Sequence, residues 1–181
     1  MNPFIALETL IDRPEALAAE VRPEGLGRTG LLGYFAGTLG LFVSMRLFSA
    51  VPPGILSFTV VLMLVLAANF FFASAIHLFM DLTGVKGSAS RLFLAFGCSD
   101  YFLALLLPLA FFVQAGAPKG FLLFSLCFVL VIYARVRLVR RLYPVSVNKA
   151  LLSIWLPYAG LCAVFFTASV YAFAWLIWLV I

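Results

Sequence analysis

Residues 76–106 have the sequence IHLFMDLTGVKGSASRLFLAFGCSDYFLALL, which contains the only histidine of the chain, His77, and both acids outside the N-terminal arm, Asp81 and Asp100. A long apolar run ends in it, a turn rich in Gly, Ser and Lys follows, and a second apolar run begins. Asp100 lies inside the second run, about 13 Å along a helix from Arg91 at a rise of 1.5 Å per residue. An acid at that depth in a membrane costs several kcal/mol unless it is paired or protonated. The stretch therefore predicts two apolar helices joined by a turn, with a candidate functional acid in the second.

The composition of the chain is typical of an integral membrane protein. Hydrophobic residues make up 65% of the 181 residues and charged residues 10%, whereas soluble domains have about 45–50% apolar and about 25% charged residues. The net charge of +5 comes from basic residues in loops between apolar runs. This pattern favours an anionic membrane surface as partner and not nucleic acid. We therefore expect an all-α, polytopic membrane protein.

Five apolar runs are predicted as transmembrane helices, at residues 29–48, 55–80, 91–113, 121–133 and 150–181. They form one transmembrane domain, residues 29–181, which follows an arm of residues 1–28. Two short, charged helices are expected in the arm, because apolar residues recur there at helical spacing. We expect them to lie on the bilayer, with docking to a protein as the alternative. Helix should continue beyond the fourth run as far as Tyr143-Pro144.

Basic residues also predict the orientation of these spans. Ten of the twelve Lys and Arg residues fall on one side of the predicted membrane, and only Arg46 and Lys119 fall towards the other side. Because basic loops stay in the cytoplasm, the N-terminus is expected there. An odd number of spans then puts the C-terminus on the periplasmic or outer side.

Several short motifs resemble the Yip (Ypt-interacting protein) domain, a family of five-span membrane proteins. They are Ile76-His77-Leu78, the turn Gly84-Val85-Lys86-Gly87-Ser88, Leu94-Ala95-Phe96-Gly97, Asn148-Lys149-Ala150-Leu151 and, in the arm, Leu10-Ile11-Asp12-Arg13-Pro14. Two positions depart from the family pattern. Val85 stands where the turn usually has a second glycine, and Asp100 falls about where the family tends to have proline.

The resemblance implies a non-enzymatic protein. Eukaryotic Yip proteins act in vesicle trafficking, bind prenylated Rab-type GTPases and associate with one another. This chain does not have their long hydrophilic N-terminal region, so it looks like a bacterial inner-membrane member. The resemblance therefore does not imply a Rab-type GTPase as partner. The protein partner is left unknown.

Four polar residues of the second and third spans form a candidate ion, proton or polar site: Asn69, His77, Asp81 and Asp100. Asn69 and Asp100 lie at similar depths on consecutive antiparallel spans, so we expect a hydrogen bond between them. Such a pair is either an ion or proton site or a polar contact between helices. His77 and Asp81 are four residues apart and share a helix face. Two ligands are too few for a metal site, so His77 is expected to be capped by a nearby acid, with no metal.

Four arginines follow the fourth span: Arg135, Arg137, Arg140 and Arg141. At a membrane edge each attracts anionic lipid head groups by about 1 kcal/mol. The sequence therefore predicts a lipid head-group site here, and fixing the orientation of the protein is the alternative role.

A stripe of glycines lies on one face of the first span: Gly30, Gly33, Gly37 and Gly40. Small residues at this spacing let membrane helices approach closely. The stripe predicts either a homo-oligomer or packing against a helix of the same chain.

The sequence contains no recognisable catalytic motif. There is no HExxH, no pair of acids at glycosidase spacing and no phosphate-binding loop before a soluble helix. The three cysteines fall inside apolar runs and fit neither a disulfide framework nor a zinc site. We therefore expect no cofactor and a non-enzymatic role in organising membrane or partner proteins. The alternative is a small ion, proton or lipid transporter or channel that uses Asp100 and Asn69.

Overall fold

The structure is a computed structural model that describes residues 23–115 and 120–180, so the predicted arm helices and Lys119 lie outside the described residues. All regular secondary structure in the described ranges is helical, which confirms the predicted all-α class. The elements are α1 (Pro23–Leu47), α2 (Ile55–Leu82), α3 (Ala89–Asp100), a 3-10 segment (Tyr101–Leu105), α4 (Leu106–Gln114), α5 (Gly120–Leu142) and α6 (Val147–Val180).

Four helical stretches in the described part of the chain are long and apolar enough to cross a membrane. They are Leu26–Leu47, Ile55–Leu82, Ala89–Gln114 and Val147–Leu179. Helix α5, predicted as the fourth of five spans, is not among them, and four arginines lie near its C-terminal end. The count of five spans therefore stays a prediction.

The helix boundaries follow from local sequence. α1 begins at Pro23, six residues before the predicted start of the first span at residue 29. Proline is favoured in the first turn of a helix, because the N–H that it does not have would find no partner there. α5 continues through its arginines and ends at Leu142, directly before Tyr143-Pro144, as predicted.

The glycine stripe of α1 packs against the backbone of α3 and the 3-10 segment. Gly30, Gly33, Gly37 and Gly40 face, in that order, the backbone carbonyls of Leu94, Gly97, Asp100 and Leu103, and a Cβ added at any of the four glycines would collide with them. Residue numbers rise together on both sides, so α1 and α3 run parallel. The stripe thus packs against a helix of the same chain, which is one of the two roles that the sequence predicts for it.

Helix α3 is the central helix of the bundle, since it contacts α1, α2 and α5. Residues 95–100 are all buried, as expected for a helix with neighbours on every side. The 3-10 segment after Asp100 precedes Pro108, which cannot donate a hydrogen bond to the Ala104 carbonyl and crowds it. This accounts for the tightened turn between α3 and α4.

The largest apolar core joins five of the helices. Its buried members are Tyr34, Ala73, Ile76, Met80, Leu92, Phe96, Val139, Tyr143, Ala150 and Ile154. In contrast, the second half of α6 contributes little to the core, because every residue from 162 to 179 is exposed. Large apolar side chains such as Phe165 and Trp178 are among them. An exposed apolar surface of this size is typical of contact with lipid or with another protein.

Candidate functional site

An ion pair between Asp100 and Arg135 lies in the middle of the bundle. Asp100, the last residue of α3, is 1% exposed, and Arg135 of α5 is 7% exposed. Arg135 Nη2 donates to Asp100 Oδ1 over 2.7 Å. Burial of a charge without a partner has a high desolvation free energy. Each of these two side chains therefore offsets part of the cost of burying the other.

Asn69 of α2 and Ser99 of α3 complete this cluster. Asn69 Nδ2 donates to Asp100 Oδ2 over 3.2 Å, which confirms the hydrogen bond expected from the sequence. The Asn69 carbonyl oxygen accepts a hydrogen bond from Arg135 Nη2. Arg135 Nε donates to Ser99 Oγ over 3.2 Å, and Ser99 Oγ donates to the Phe96 carbonyl over 2.6 Å. We call Asn69, Ser99, Asp100 and Arg135 the polar cluster.

The polar cluster is a neutral unit that connects α2, α3 and α5. One positive charge and one negative charge cancel, and both Asp100 oxygens accept hydrogen bonds. The guanidinium of Arg135 also lies 4.7 Å from the centre of the Phe96 ring, within the range of a cation–π contact. Such an arrangement satisfies charges in an apolar interior and fixes three helices relative to one another.

The predicted position of Arg135 at lipid head groups is therefore wrong. The other three arginines, Arg137, Arg140 and Arg141, are exposed. Helical periodicity explains the difference, because residue 135 shares a face with buried Val131 and Leu138. That spacing, together with an unpaired acid in a neighbouring apolar run, could have indicated from the sequence that Arg135 is buried and pairs with Asp100.

Exposed basic side chains lie together at one end of the bundle. Lys149 Nζ donates to the Thr83 carbonyl over 3.5 Å, which brings the start of α6 to the turn after α2. We define the basic end as the exposed residues Arg28, Lys86, Arg91, Arg137, Arg140 and Arg141. Among the described side chains, Asp81 is the one exposed acid. The Arg137 guanidinium also lies 5.4 Å from the centre of the Tyr133 ring.

The turn between α2 and α3 is built from the residues that resemble the Yip motif. Gly84 has φ +78°, a left-handed conformation that favours glycine. The Val85 N–H donates to the Met80 carbonyl over 2.9 Å, which closes the end of α2. Ser88 is the N-cap of α3 and accepts a hydrogen bond from the Arg91 N–H. Lys86 is exposed.

His77, which is expected from the sequence to be capped by a nearby acid, contacts a tyrosine. His77 Nδ1 and the Tyr143 hydroxyl are 2.9 Å apart, and the Tyr143 ring lies directly against Gly87. Burial and, to a smaller extent, the negative charge of Asp81 raise the pKa of the Tyr143 hydroxyl to about 12. The hydroxyl therefore keeps its proton at neutral pH and can donate to His77. Since the partners are 66 residues apart, no local pattern could have indicated this contact.

The described residues contain no cluster that could hold a metal ion. No three His, Cys, Asp or Glu side chains lie together in residues 23–115 and 120–180. Cys98 and Cys127 are buried, Cys162 is exposed, and all three are free thiols.

The polar cluster and the basic end are thus the two concentrations of polar groups in the described part of the chain. Comparisons of the chain with protein-family models, with curated proteins and with solved structures gave no match, so the resemblance to the Yip family stays a prediction.

Proposed function

We propose that this chain is a five-span, Yip-like protein of a bacterial inner membrane that organises membrane or partner proteins without catalysis. In this proposal α5 is the fourth span, the N-terminus is cytoplasmic and the basic end contacts anionic lipid head groups. The observation that carries the proposal is the exposure of Arg137, Arg140 and Arg141 at the end of an apolar bundle. The polar cluster supports it, because a neutral unit that joins three helices fits a structural role.

Replacement of these three arginines tests the lipid contact. In Arg137→Gln/Arg140→Gln/Arg141→Gln, affinity for anionic lipid should fall about 100-fold, because each arginine contributes about 1 kcal/mol. The measurement is the share of phosphatidylglycerol and cardiolipin in the lipids that co-purify with the protein from detergent. Arg46→Gln, which removes a charge towards the other end of α1, is the control and should leave that share unchanged. An unaltered lipid composition in the triple variant would contradict the proposed contact.

Transport of an ion or proton is the second candidate, because a charged pair is buried among apolar helices that we propose to cross the membrane. Liposomes that contain the purified protein distinguish the two functions. We expect no flux of protons or small cations from the wild-type protein. A flux that is lost in Asp100→Asn/Arg135→Gln, with the variant still folded, would favour transport over the organising role.

A further inference from the structure

A cavity of about 280 Å³ lies beside the polar cluster, between α5, α6 and the 3-10 segment. Its lining is mostly apolar and includes Leu103, Phe128, Ile132, Arg135, Trp155 and Tyr158. Phe128 is 46% exposed and Trp155 is 53% exposed. Because these two residues lie on the side of the bundle, the cavity opens towards the apolar surface between α5 and α6. A molecule dissolved in the bilayer could therefore enter it.

Arg135 is the one charged residue in the lining of this cavity. Its Nε donates to Ser99, and its Nη2 donates to Asn69 and Asp100. The remaining nitrogen, Nη1, has no hydrogen-bond acceptor within the described residues. Since a guanidinium has five N–H groups, the two on Nη1 are the donors left for a molecule in the cavity.

The charge of the polar cluster decides which kind of molecule fits. Asp100 already neutralises Arg135, so an anion would bring an uncompensated negative charge into apolar surroundings. A neutral acceptor would accept hydrogen bonds from the Nη1 N–H groups without bringing an uncompensated charge into the cavity. Tyr158 and Trp155 add aromatic surface with a polar tip, which suits an apolar ligand with one polar group.

We propose that this cavity binds a neutral, membrane-soluble carbonyl compound, with Arg135 Nη1 as the hydrogen-bond donor to the carbonyl oxygen. The apolar part of the ligand lies against Phe128, Ile132 and Trp155. The site requires a bilayer or detergent environment, but it does not depend on lipid contacts at the basic end. Loss of one property would therefore leave the other intact.

Benzophenone, a neutral apolar ketone that forms covalent adducts under ultraviolet light, tests the site. Irradiation of the full chain in lipid nanodiscs should label residues of α5 and α6 that line the cavity, as mapped by mass spectrometry. Dicyclohexyl ketone should compete with the labelling. Dicyclohexylmethane, which has no carbonyl, should need a concentration about tenfold higher to reduce the labelling equally. Equal competition by the ketone and the hydrocarbon would overturn the proposal.

A pair of variants with an added aromatic ring provides the second arm. Ile132→Phe fills the cavity and should reduce the labelling at least about tenfold. Leu126→Phe places a ring on the same helix at an exposed position outside the cavity and should leave the labelling unchanged. Labelling that is equal in the two variants, or spread over the apolar surface in both, would contradict a specific site. The competition experiment needs no variant, so the proposal stays testable if Ile132→Phe does not fold.

Discussion

At the residue scale, the stability of the bundle depends on the pairing of Asp100 with Arg135. Both are buried, and their hydrogen bonds reach α2 through Asn69. A buried pair adds less stability than its short distance suggests, because desolvation of both ions offsets their attraction. Removal of one partner is different, since it leaves the other charge buried alone.

We therefore expect Asp100→Asn to lower the free energy of unfolding by about 3–5 kcal/mol. In Asp100→Asn/Arg135→Gln no charge stays buried, so the loss should be clearly smaller. Thermal unfolding in detergent, followed by circular dichroism, measures both effects. Asp81→Asn removes an exposed acid and serves as the control, with a change near zero. If the double variant is as unstable as the single one, balancing of the two buried charges is not what stabilises the protein.

At the element scale, the close approach of α1 to α3 depends on glycines, which have no side chain to keep the two backbones apart. The Gly33 backbone lies so near the Gly97 carbonyl that a Cβ would collide with it, and Gly97 in turn faces the Gly30 carbonyl. Tyr34 and Tyr101 add hydrogen bonds across the same interface, to the carbonyls of Phe93 and Thr29. The two helices are therefore held together both by close backbone packing and by hydrogen bonds.

Gly33→Ala should destabilise the protein by about 1–3 kcal/mol, because the helices must separate to accept the methyl group. Gly160→Ala is the matched control, since no atom lies within 4 Å of a Cβ built at that helical glycine. There, alanine should be neutral or stabilise the helix by up to about 1 kcal/mol. The melting temperatures of the two variants give the comparison, and an equal effect at both positions would show that α1 does not need its glycines for packing.

At the scale of the whole molecule, one end is basic and the sides are apolar. Exposed Lys and Arg residues gather at the ends of α2 and α5 and at the starts of α1 and α3, while Arg46 lies near the other end of α1. In a bacterial membrane this asymmetry predicts that the turn after α2 faces the cytoplasm. The turn between α1 and α2 is then expected to face the periplasm.

Labelling of single added cysteines tests this orientation. Ala50→Cys, in the turn before α2, should react with a membrane-impermeant maleimide in intact cells. Lys86→Cys should react only after the cells are permeabilised. The wild-type chain is the control, because Cys98 and Cys127 are buried and Cys162 lies in the middle of α6. The opposite pattern would reverse the orientation and place the basic end outside the cytoplasm.

The sequence by itself determined the helical class, because long apolar runs separated by Gly, Pro and basic residues leave the chain few alternatives. It also indicated the Asn69–Asp100 hydrogen bond, since depth along two consecutive helices follows from residue counting. It did not place Arg135 or connect His77 with Tyr143. Those contacts join residues 35 and 66 positions apart. Only the tertiary structure decided them, because the rotation and packing of each helix determine which face meets which neighbour.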